Sequence, residues 1–539
     1  MSGPVREPFG DPDDRAEATW VPTPDGVRLA TDVWLPDRPG RMPTVLIRLP
    51  YDKLGPFAMV PWIARELLGH GYAVVTQDVR GKIRSEGETF AFAHEVVDGA
   101  ATLDWIVAQP WSNGDVGMLG DSYYGFTQWA AAASGHPALR CIVPRMTSTE
   151  IGTTWMYSQG VFNLFTMLDW ASLTWVDEHL WSGGVDWSVR PLADILPAAH
   201  GGRRSSSFDE WVGRGPDDPW WTEAVFAGRA NPRDRADLPV LAGGGWWDVF
   251  VGGQVRDFLA RQDRFSHQHL EMGSRDHWDL ELRPPGEPPP DVHDPGVLET
   301  WIPAYVAPAA RFFARYLRGD EGTEVPTVRW HLSNDTWQED VRWPPAGAVP
   351  HELHLARGGE GALSERPSAG PDVRWTHDPT DPMPSRIEDA WAALAELPDE
   401  DENARRPDVA TFTGDELTVP LDLTGPQAVT LRLRSSGPST HAIAQLVDVA
   451  PDGPARRFAE GAALVTGARD ERAVTVDLGH CAYRLAPGHR LRLQLASSCY
   501  PRYVLHPGTD EDPWTTTRYE RTEQTLRTDG SVLRLTLRR

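Results

Sequence analysis

Hydrophobic and polar positions follow two different periods in the first part of the chain. Short β-rich runs occur at residues 26–36, 44–51 and 72–78, and they alternate or are continuously apolar. Residues 59–71 and 95–110 instead carry apolar side chains at helical spacing and end at a glycine and a proline. Strands that alternate with helices in this way predict a mostly parallel sheet covered by helices.

The pattern changes after about residue 147. Residues 148–236 read as helices with few β runs, and eight of the chain's 24 tryptophans fall here: Trp155, Trp170, Trp175, Trp181, Trp187, Trp211, Trp220 and Trp221. The α/β pattern then resumes at "LPVLAGGGWWD". We therefore predict a helical insertion in an α/β domain. Its tryptophans either pack inside the insertion or form a lid over an apolar pocket.

Alternating strands dominate the chain beyond the amphipathic helix "RFFARYLRG". Runs such as "TVRWHLS", "VTLRLRSS" and "HRLRLQLASS" are separated by turn residues, which is typical of a β-sandwich or jelly roll. Residues 367–406 are rich in Pro, Asp and Glu, and we expect a long exposed excursion there. The predicted regions are an α/β domain in two parts (1–147 and 237–320), a helical cap (148–236) and a jelly-roll domain (321–539).

Composition narrows the classes of function. A net charge of −25 argues against nucleic acid or an anionic membrane as the main partner. Only Lys53 and Lys82 supply lysine amines, which disfavours Schiff-base chemistry. The three cysteines are far apart, so neither a metal site nor a disulfide framework is expected. The polar first residues do not resemble a signal peptide, and we expect a cytoplasmic bacterial protein.

Ser122 lies at a corner between a predicted strand and a predicted helix, in "VGMLGDSYYGFTQW". A serine between a strand and a helix is the nucleophile-elbow arrangement of α/β-hydrolases, in which a tight turn exposes the hydroxyl above the sheet. Small residues are needed where the strand and the helix approach each other, and Gly120 and Gly125 meet that need. The spacing alone is a weak signal, because an ordinary helix-capping serine would give the same match.

A serine nucleophile needs a base and an orienting carboxylate, and in α/β-hydrolases these follow it in the order acid, then histidine. Asp248 follows the apolar strand "PVLAGGGWW", and His277 follows the strand "HLEMG". Asp276 and Asp279 are rival acids, but they are too close in sequence to His277 to reach round its ring easily. We predict Ser122, Asp248 and His277 as a catalytic triad.

Longer stretches resemble the CocE/NonD hydrolases, serine peptidase family S15. The matching motifs are "PYDK", "QDVRGKIRSEGE", "DWIVAQPWSNGDVGMLGDSYYGFTQW", "GGWWDVF", "FFARYLRG" and "PGHRLRLQLASSCYPRY". The resemblance implies an α/β-hydrolase domain with an inserted helical cap and a C-terminal jelly roll. It also implies the three triad roles and an oxyanion hole formed by the phenol of Tyr51 and the backbone N–H of Tyr123.

The prediction from sequence is a serine hydrolase that cleaves an ester or amide through an acyl-enzyme, with no metal and no organic cofactor. The substrate is expected to be a small, hydrophobic or aromatic ester or amide, or a short peptide. An X-Pro dipeptidyl-peptidase-like aminopeptidase, an acyltransferase and a non-catalytic binding protein remain as alternatives. The sequence leaves open whether the chain forms a homo-oligomer.

Overall fold

The computed structural model describes residues 16–176, 179–279, 294–356, 361–367, 370–391 and 397–538. In chain order, its first part contains β1 (Ala16–Pro22), β2 (Arg28–Trp34), β3 (Met42–Leu49), α1 (Val60–Gly69), β4 (Ala73–Asp78), α2 (Glu95–Val107), β5 (Ser112–Asp121), α3 (Ser122–Ala133) and β6 (Leu139–Arg145). The cap region contains β7 (Tyr157–Ser158), β8 (Val161–Phe162), α4 (Leu164–Val176), α5 (Ile195–Ala199) and α6 (Ser206–Val212).

The chain then returns to the first sheet with β9 (Val240–Gly245), α7 (Val251–Gln262), β10 (Gln268–Gly273), α8 (Pro295–Tyr316), β11 (Val328–His331) and β12 (Trp337–Asp340). The strand order of this sheet is β1-β2-β4-β3-β5-β6-β9-β10-β11-β12. Pairing is parallel from β4 to β11 and antiparallel at both ends. Parallel strands put their carboxyl ends on one edge, where ligands bind in such sheets.

The strand predicted at "TVRWHLS" differs from expectation in its partner. The sequence placed it with the C-terminal strands, but β11 pairs in parallel with β10 of the first sheet. The physical reason is the preceding helix α8, because a strand–helix–strand crossover returns the chain to the same sheet in a parallel direction.

The C-terminal region forms a second, largely antiparallel sheet. Its elements are β13 (Ala348–Ala356), β14 (Ala362–Ser364), β15 (Val373–His377), α9 (Asp401–Ala404), β16 (Ala410–Thr413), β17 (Leu421–Ser435), β18 (Ser439–Val449), β19 (Ala455–Thr466), β20 (Arg472–Leu485), β21 (Arg490–Ala496) and β22 (Thr522–Arg538). The strand order is β19-β18-β21-β16-β14-β13-β22-β17-β20, with β15 also on β22. Alternate leucines such as Leu431, Leu433, Leu493 and Leu495 fill its core, as the alternating pattern predicts.

The described residues between 367 and 406 are not the exposed excursion that their composition suggested. They supply β15 to the C-terminal sheet and bury Trp375, Met383 and Trp391. Trp375 and Met383 are flanked by polar residues and prolines, and the short apolar run "AWAALAEL" that contains Trp391 does not reveal its partner. We call residues 383–391 the strap. Its start is anchored on the C-terminal sheet region, where Met383 and Ser385 exchange backbone hydrogen bonds with Tyr500.

Four of the eight cap tryptophans are packed in the interior and do not line the pockets of the part of the protein that the structure describes. Trp155, Trp170, Trp211 and Trp221 are almost fully buried in one aromatic core. Within that core, Trp170 lies 4.6 Å from the ring of Trp155 and 4.8 Å from the ring of Trp211. Of the two readings left open by the sequence, packing therefore describes these four residues. None of the described helices is long and apolar enough to span a bilayer.

Three histidines are buried together in the C-terminal domain. The rings of His441 and His506 lie 4.8 Å apart, and Nε2 of His377 lies 2.9 Å from the backbone carbonyl of His506. Burial lowers the pKa of all three, to about 3 for His506. Each ring is therefore neutral in the folded protein at a pH at which it would be protonated in the unfolded chain.

This cluster predicts acid-dependent stability. Because the folded-state pKa values lie below the unfolded value of about 6.5, the contribution is complete above that pH and is lost as the pH falls below it. Each histidine should cost up to about 1.4 kcal/mol of unfolding free energy per pH unit. Between pH 7.5 and 5.5, the free energy of unfolding measured in urea should fall by about 1.4 kcal/mol less in His441→Phe than in the unmodified protein.

The matched control is His70→Asn, on a surface histidine whose side chain is 41% exposed. It should show the same acid-dependent loss as the unmodified protein. An equal loss in His441→Phe and in the control would contradict the assignment.

Candidate active site

Ser122 has the backbone conformation that a nucleophile elbow requires. It lies between β5 and α3 with φ = +55°, in the left-handed region that a non-glycine residue enters only at a cost of about 1–3 kcal/mol. The turn raises the side chain above the carboxyl end of β5. The strain is maintained by the strand and the helix that fix the residue on either side.

Gly120 and Gly125 are required by close approach on both sides of this turn. A Cβ on Gly120 would lie 2.0 Å from Cδ2 of Tyr124, and φ there is +150°. A Cβ on Gly125 would lie 2.6 Å from Cγ2 of Thr147 and 2.8 Å from the carbonyl oxygen of Arg145. Gly120 thus allows the ring of Tyr124 in α3 to lie against the end of β5, and Gly125 allows α3 to pack against the end of β6.

The structure brings Ser122, His277 and Asp248 together. Nε2 of His277 lies 3.0 Å from Oγ of Ser122, and Nδ1 lies 2.5 Å from Oδ2 of Asp248. Asp248 follows β9 and His277 follows β10, so all three residues lie at carboxyl ends of strands in one sheet. The buried Asp248 carboxylate also accepts a 2.7 Å hydrogen bond from the backbone N–H of Phe250, which fixes its orientation.

The two rival acids have other partners. Oδ1 of Asp279 lies 2.8 Å from Nη2 of Arg145 and 3.1 Å from Nη1 of Arg275. Oδ1 of Asp276 accepts the backbone N–H of Trp278 at 3.0 Å. Of the three carboxylates, the one hydrogen-bonded to the His277 ring is that of Asp248.

Tyr51 and Tyr123 contribute different groups to the site. The Tyr51 side chain lines the cavity together with Ser122. Burial raises the pKa of its phenol to about 12, although Trp170 and Ser122 oppose the rise, so the phenol keeps its proton at neutral pH. The Tyr123 phenol instead turns into the core, 2.8 Å from Oε1 of Glu95. Its backbone N–H lies in the first turn of α3, where helical N–H groups have no intrahelical partner.

Asp121 directly precedes Ser122. Its carboxylate belongs to a buried ionic cluster and is not hydrogen-bonded to His277. Its Oδ1 accepts a 3.0 Å hydrogen bond from the phenol of Tyr305 and lies 3.4 Å from Nε of Arg145. Burial raises the pKa of this carboxyl, and the charge of Arg145 opposes the rise. The cluster joins the ends of β5 and β6 to α8 and, through Asp279, to the loop that carries His277.

A cavity opens above Ser122, and its lining is rich in aromatic side chains. The rings come from outside the cap, while the cap supplies Leu173 and His179; the aromatic residues are Tyr51, Phe57, Tyr124, Trp278, Trp301, Tyr305 and Trp391. Most of these residues carried no sequence signal beyond being aromatic. His179 lay inside the predicted cap, and a histidine without a motif is not distinguishable there from a surface residue.

Trp391 of the strap contacts His277, and nothing in the sequence predicted this contact. Its ring lies 4.8 Å from the ring of His277, and its carbonyl accepts the backbone N–H of His277 at 3.3 Å. Its indole Nε1 donates to Asp169 of the cap. In the same strap, Asp389 accepts the indole N–H of Trp278 at 2.9 Å. The C-terminal domain thus forms one wall of the site.

Comparison with known proteins agrees with this architecture. Residues 25–279 match the family model described as X-Pro dipeptidyl-peptidase (S15 family), and residues 322–531 match its C-terminal non-catalytic domain. Cocaine esterase of Rhodococcus sp. (strain MB1 Bresler) is 31% identical, with 92% of each chain covered.

Two solved structures share the fold over nearly the whole chain. An α-amino acid ester hydrolase aligns with a TM-score of 0.82 at 23% identity, covering 99% of this chain and 98% of its own. An aminopeptidase from a marine sediment archaeon, Thaumarchaeota archaeon, aligns with a TM-score of 0.83 at 22% identity, covering 100% and 99%. The chain is an α/β-hydrolase with an inserted helical cap and a C-terminal jelly roll, and it belongs to the S15 family of serine hydrolases.

Proposed function

We propose that the protein hydrolyses carboxylic esters through an acyl-enzyme on Ser122, with His277 as general base and Asp248 as its orienting acid. The observation that carries the proposal is the continuous hydrogen-bonded path from Asp248 through His277 to Ser122, at 2.5 and 3.0 Å. A serine hydroxyl is a weak nucleophile at neutral pH, and an imidazole in this position removes its proton as it attacks.

The reaction proceeds in two halves. Oγ of Ser122 attacks the ester carbonyl while Nε2 of His277 takes the hydroxyl proton. The tetrahedral intermediate collapses, and the alcohol leaves with that proton. A water molecule, deprotonated by the same ring, then attacks the acyl-enzyme and releases the acid. Asp248 holds Nδ1–H and stabilises the imidazolium that forms in each half.

Tyr51 and Tyr123 are proposed to form the oxyanion hole. The phenol of Tyr51 and the backbone N–H of Tyr123 would donate to the oxygen that becomes negative in the intermediate. A phenol whose pKa is raised to about 12 by burial remains a donor throughout the working range of pH. Donors that are fixed before the charge develops lower the barrier without a reorganisation cost.

The aromatic cavity supports a small hydrophobic or aromatic ester as substrate. The 31% identity to a cocaine esterase over 92% of both chains favours ester hydrolysis. An aminopeptidase of X-Pro type remains the second candidate, because the matching family model carries that description. Rates on p-nitrophenyl esters and on aminoacyl p-nitroanilides distinguish the two, and product analysis with an added alcohol detects acyl transfer.

Ser122→Ala should reduce kcat/KM for p-nitrophenyl esters by at least about 10⁴-fold, because the acyl-enzyme cannot form. Labelling by a fluorophosphonate probe should be lost with it. Ser134→Ala, at the other end of α3, is the matched control and should keep both ester hydrolysis and labelling by the probe. Labelled Ser122→Ala protein would refute the assignment of the nucleophile.

Tyr51→Phe should lower kcat by about 10²–10³-fold with a smaller change in KM, since it removes one donor to the developing oxyanion. Stopped-flow measurement of acyl-enzyme formation gives the affected step directly. The control is Tyr316→Phe on α8, which removes a phenol hydroxyl that is hydrogen-bonded to His269 of β10. If Tyr51→Phe changed KM alone, the phenol would be a ground-state contact and not an oxyanion donor.

Trp391→Leu should lower kcat/KM about tenfold, because the ring that packs on His277 is lost and the imidazole is held less closely. Trp391→Phe keeps a ring at this position and should recover most of the activity. Both variants lose the indole bond to Asp169, so equal defects would assign the effect to that bond. Thermal unfolding of both variants controls for a general loss of stability.

A further inference from the structure

A second histidine–carboxylate pair faces the cavity from the cap. His179 lines the same cavity as Ser122 and His277. Its Nδ1 lies 3.1 Å from Oδ2 of Asp169, a buried residue of α4. Asp169 also accepts the backbone N–H of Leu180 and the indole N–H of Trp391. Because an ionised carboxylate only accepts hydrogen bonds, Nδ1 of His179 carries a hydrogen.

The other ring nitrogen of His179 is available to a bound molecule. The side chain is 24% exposed and is surrounded by aromatic rings, with Trp278 at 5.6 Å, Phe57 at 5.7 Å and Trp181 at 6.0 Å. Among the residues that the structure describes, none forms a hydrogen bond with Nε2 of His179. Nε2 is thus a polar atom that this aromatic wall can offer to a substrate.

Carboxylates surround this ring. Burial lowers the pKa of His179, but the hydrogen bond and charge of Asp169 and the charge of Asp389 outweigh it, so the pKa is raised. The other titratable residues that line the same cavity are Asp121, Asp279, His277, Tyr51, Tyr124 and Tyr305. Asp121 and Asp279 are paired with Arg145.

These charges define the ligand chemistry. Asp169 balances a protonated His179, and Asp389 adds a further negative charge nearby. An anionic group on the substrate would meet that excess of carboxylate, whereas a neutral acceptor needs no added charge. A protonated ring with Nδ1 on Asp169 presents one N–H donor, and carbonyl oxygens are the common neutral acceptors.

We propose that His179 is a specificity-determining residue, whose Nε2–H donates a hydrogen bond to a neutral carbonyl oxygen of the substrate other than the one that Ser122 attacks. The inference rests on the proposed function, since it concerns the substrate of that same site. It selects esters whose acyl group carries a second carbonyl, such as keto-acyl or amido-acyl esters, over plain acyl esters of equal length.

The test compares matched pairs of p-nitrophenyl esters. The pairs are 4-oxopentanoate with pentanoate, 5-oxohexanoate with hexanoate, and 6-oxoheptanoate with heptanoate. The kcat/KM of each ester is divided by the rate constant for hydrolysis of the same ester by hydroxide, which corrects for its intrinsic reactivity. At pH 6 at least one oxo ester should exceed its plain partner about tenfold in kcat/KM. The ratio of kcat/KM for the oxo ester to kcat/KM for the plain ester does not depend on the ionisation of His277, because both esters of a pair require the same protonation state of His277.

The pH dependence of this ratio identifies the donor. When His179 loses its proton, the remaining hydrogen stays on Nδ1 toward Asp169, and Nε2 becomes an acceptor. The ratio should therefore fall toward one as the pH rises through the pKa of His179. A ratio that rises with pH, or an absence of preference in all three pairs, would overturn the proposal.

Two variants separate recognition from folding. His179→Phe keeps a ring between Phe57 and Trp278 but has no donor, so its ratio should be near one at every pH. His179→Gln keeps a donor that does not titrate, so any remaining preference should be independent of pH. The control His200→Phe changes a cap histidine whose ring packs edge-to-face with Trp175, and it should keep both the preference and its pH dependence.

Fluorophosphonate labelling distinguishes the two levels of failure. One result would overturn this inference and leave the proposed function intact: plain esters are hydrolysed and Ser122 is labelled, but the ratio of oxo-ester to plain-ester kcat/KM is unchanged in both His179 variants. No hydrolysis of any ester and no labelling would overturn the proposed function, and this inference with it.

Discussion

The left-handed backbone of Ser122 is the constraint on which the rest of the site depends. A non-glycine residue stays at φ = +55° only if both flanking elements are fixed. The parallel pairing of β5 with β3 and β6 fixes one side, and the packing of α3 against the end of β6 fixes the other. That packing leaves no room for a Cβ at Gly125, and the ring of Tyr124 leaves none at Gly120.

Once the hydroxyl is fixed, the sheet determines where the other groups lie. β9 and β10 are adjacent and parallel, so the residues that follow them emerge at the same edge as Ser122. The loop carrying His277 is then held from three directions: by Asp248, by the Arg145 cluster through Asp279, and by Trp391. The region whose family model is described as non-catalytic is therefore in direct contact with the histidine.

Much of the fold and the spatial grouping of Ser122, Asp248 and His277 could be predicted from the sequence. The α/β alternation, the tight turn at Ser122 and the placement of Asp248 and His277 after strands are local signals, and local signals are visible in a sequence. The roles of the three residues stay a prediction until the variants are measured.

What could not be predicted depends on contacts between distant parts of the chain. The 367–406 stretch has the composition of an exposed loop, and nothing local indicates that Trp391 packs on His277. In the cap, tryptophan enrichment indicated burial but not which side of the cap the rings would face. β11 was placed in the wrong sheet because its alternation is the same in either sheet, and the choice was made by the preceding helix.

The strap also has a consequence for the order in which the enzyme becomes competent during synthesis. Residues emerge from the ribosome in sequence, so Ser122, Asp248 and His277 are all available before any of the strap has been made. A nascent chain at that stage holds a nucleophile and a base without the wall that Trp391 provides. The wall of the site that Trp391 forms is therefore complete only after Tyr500, which anchors the strap through Met383 and Ser385, has also been made.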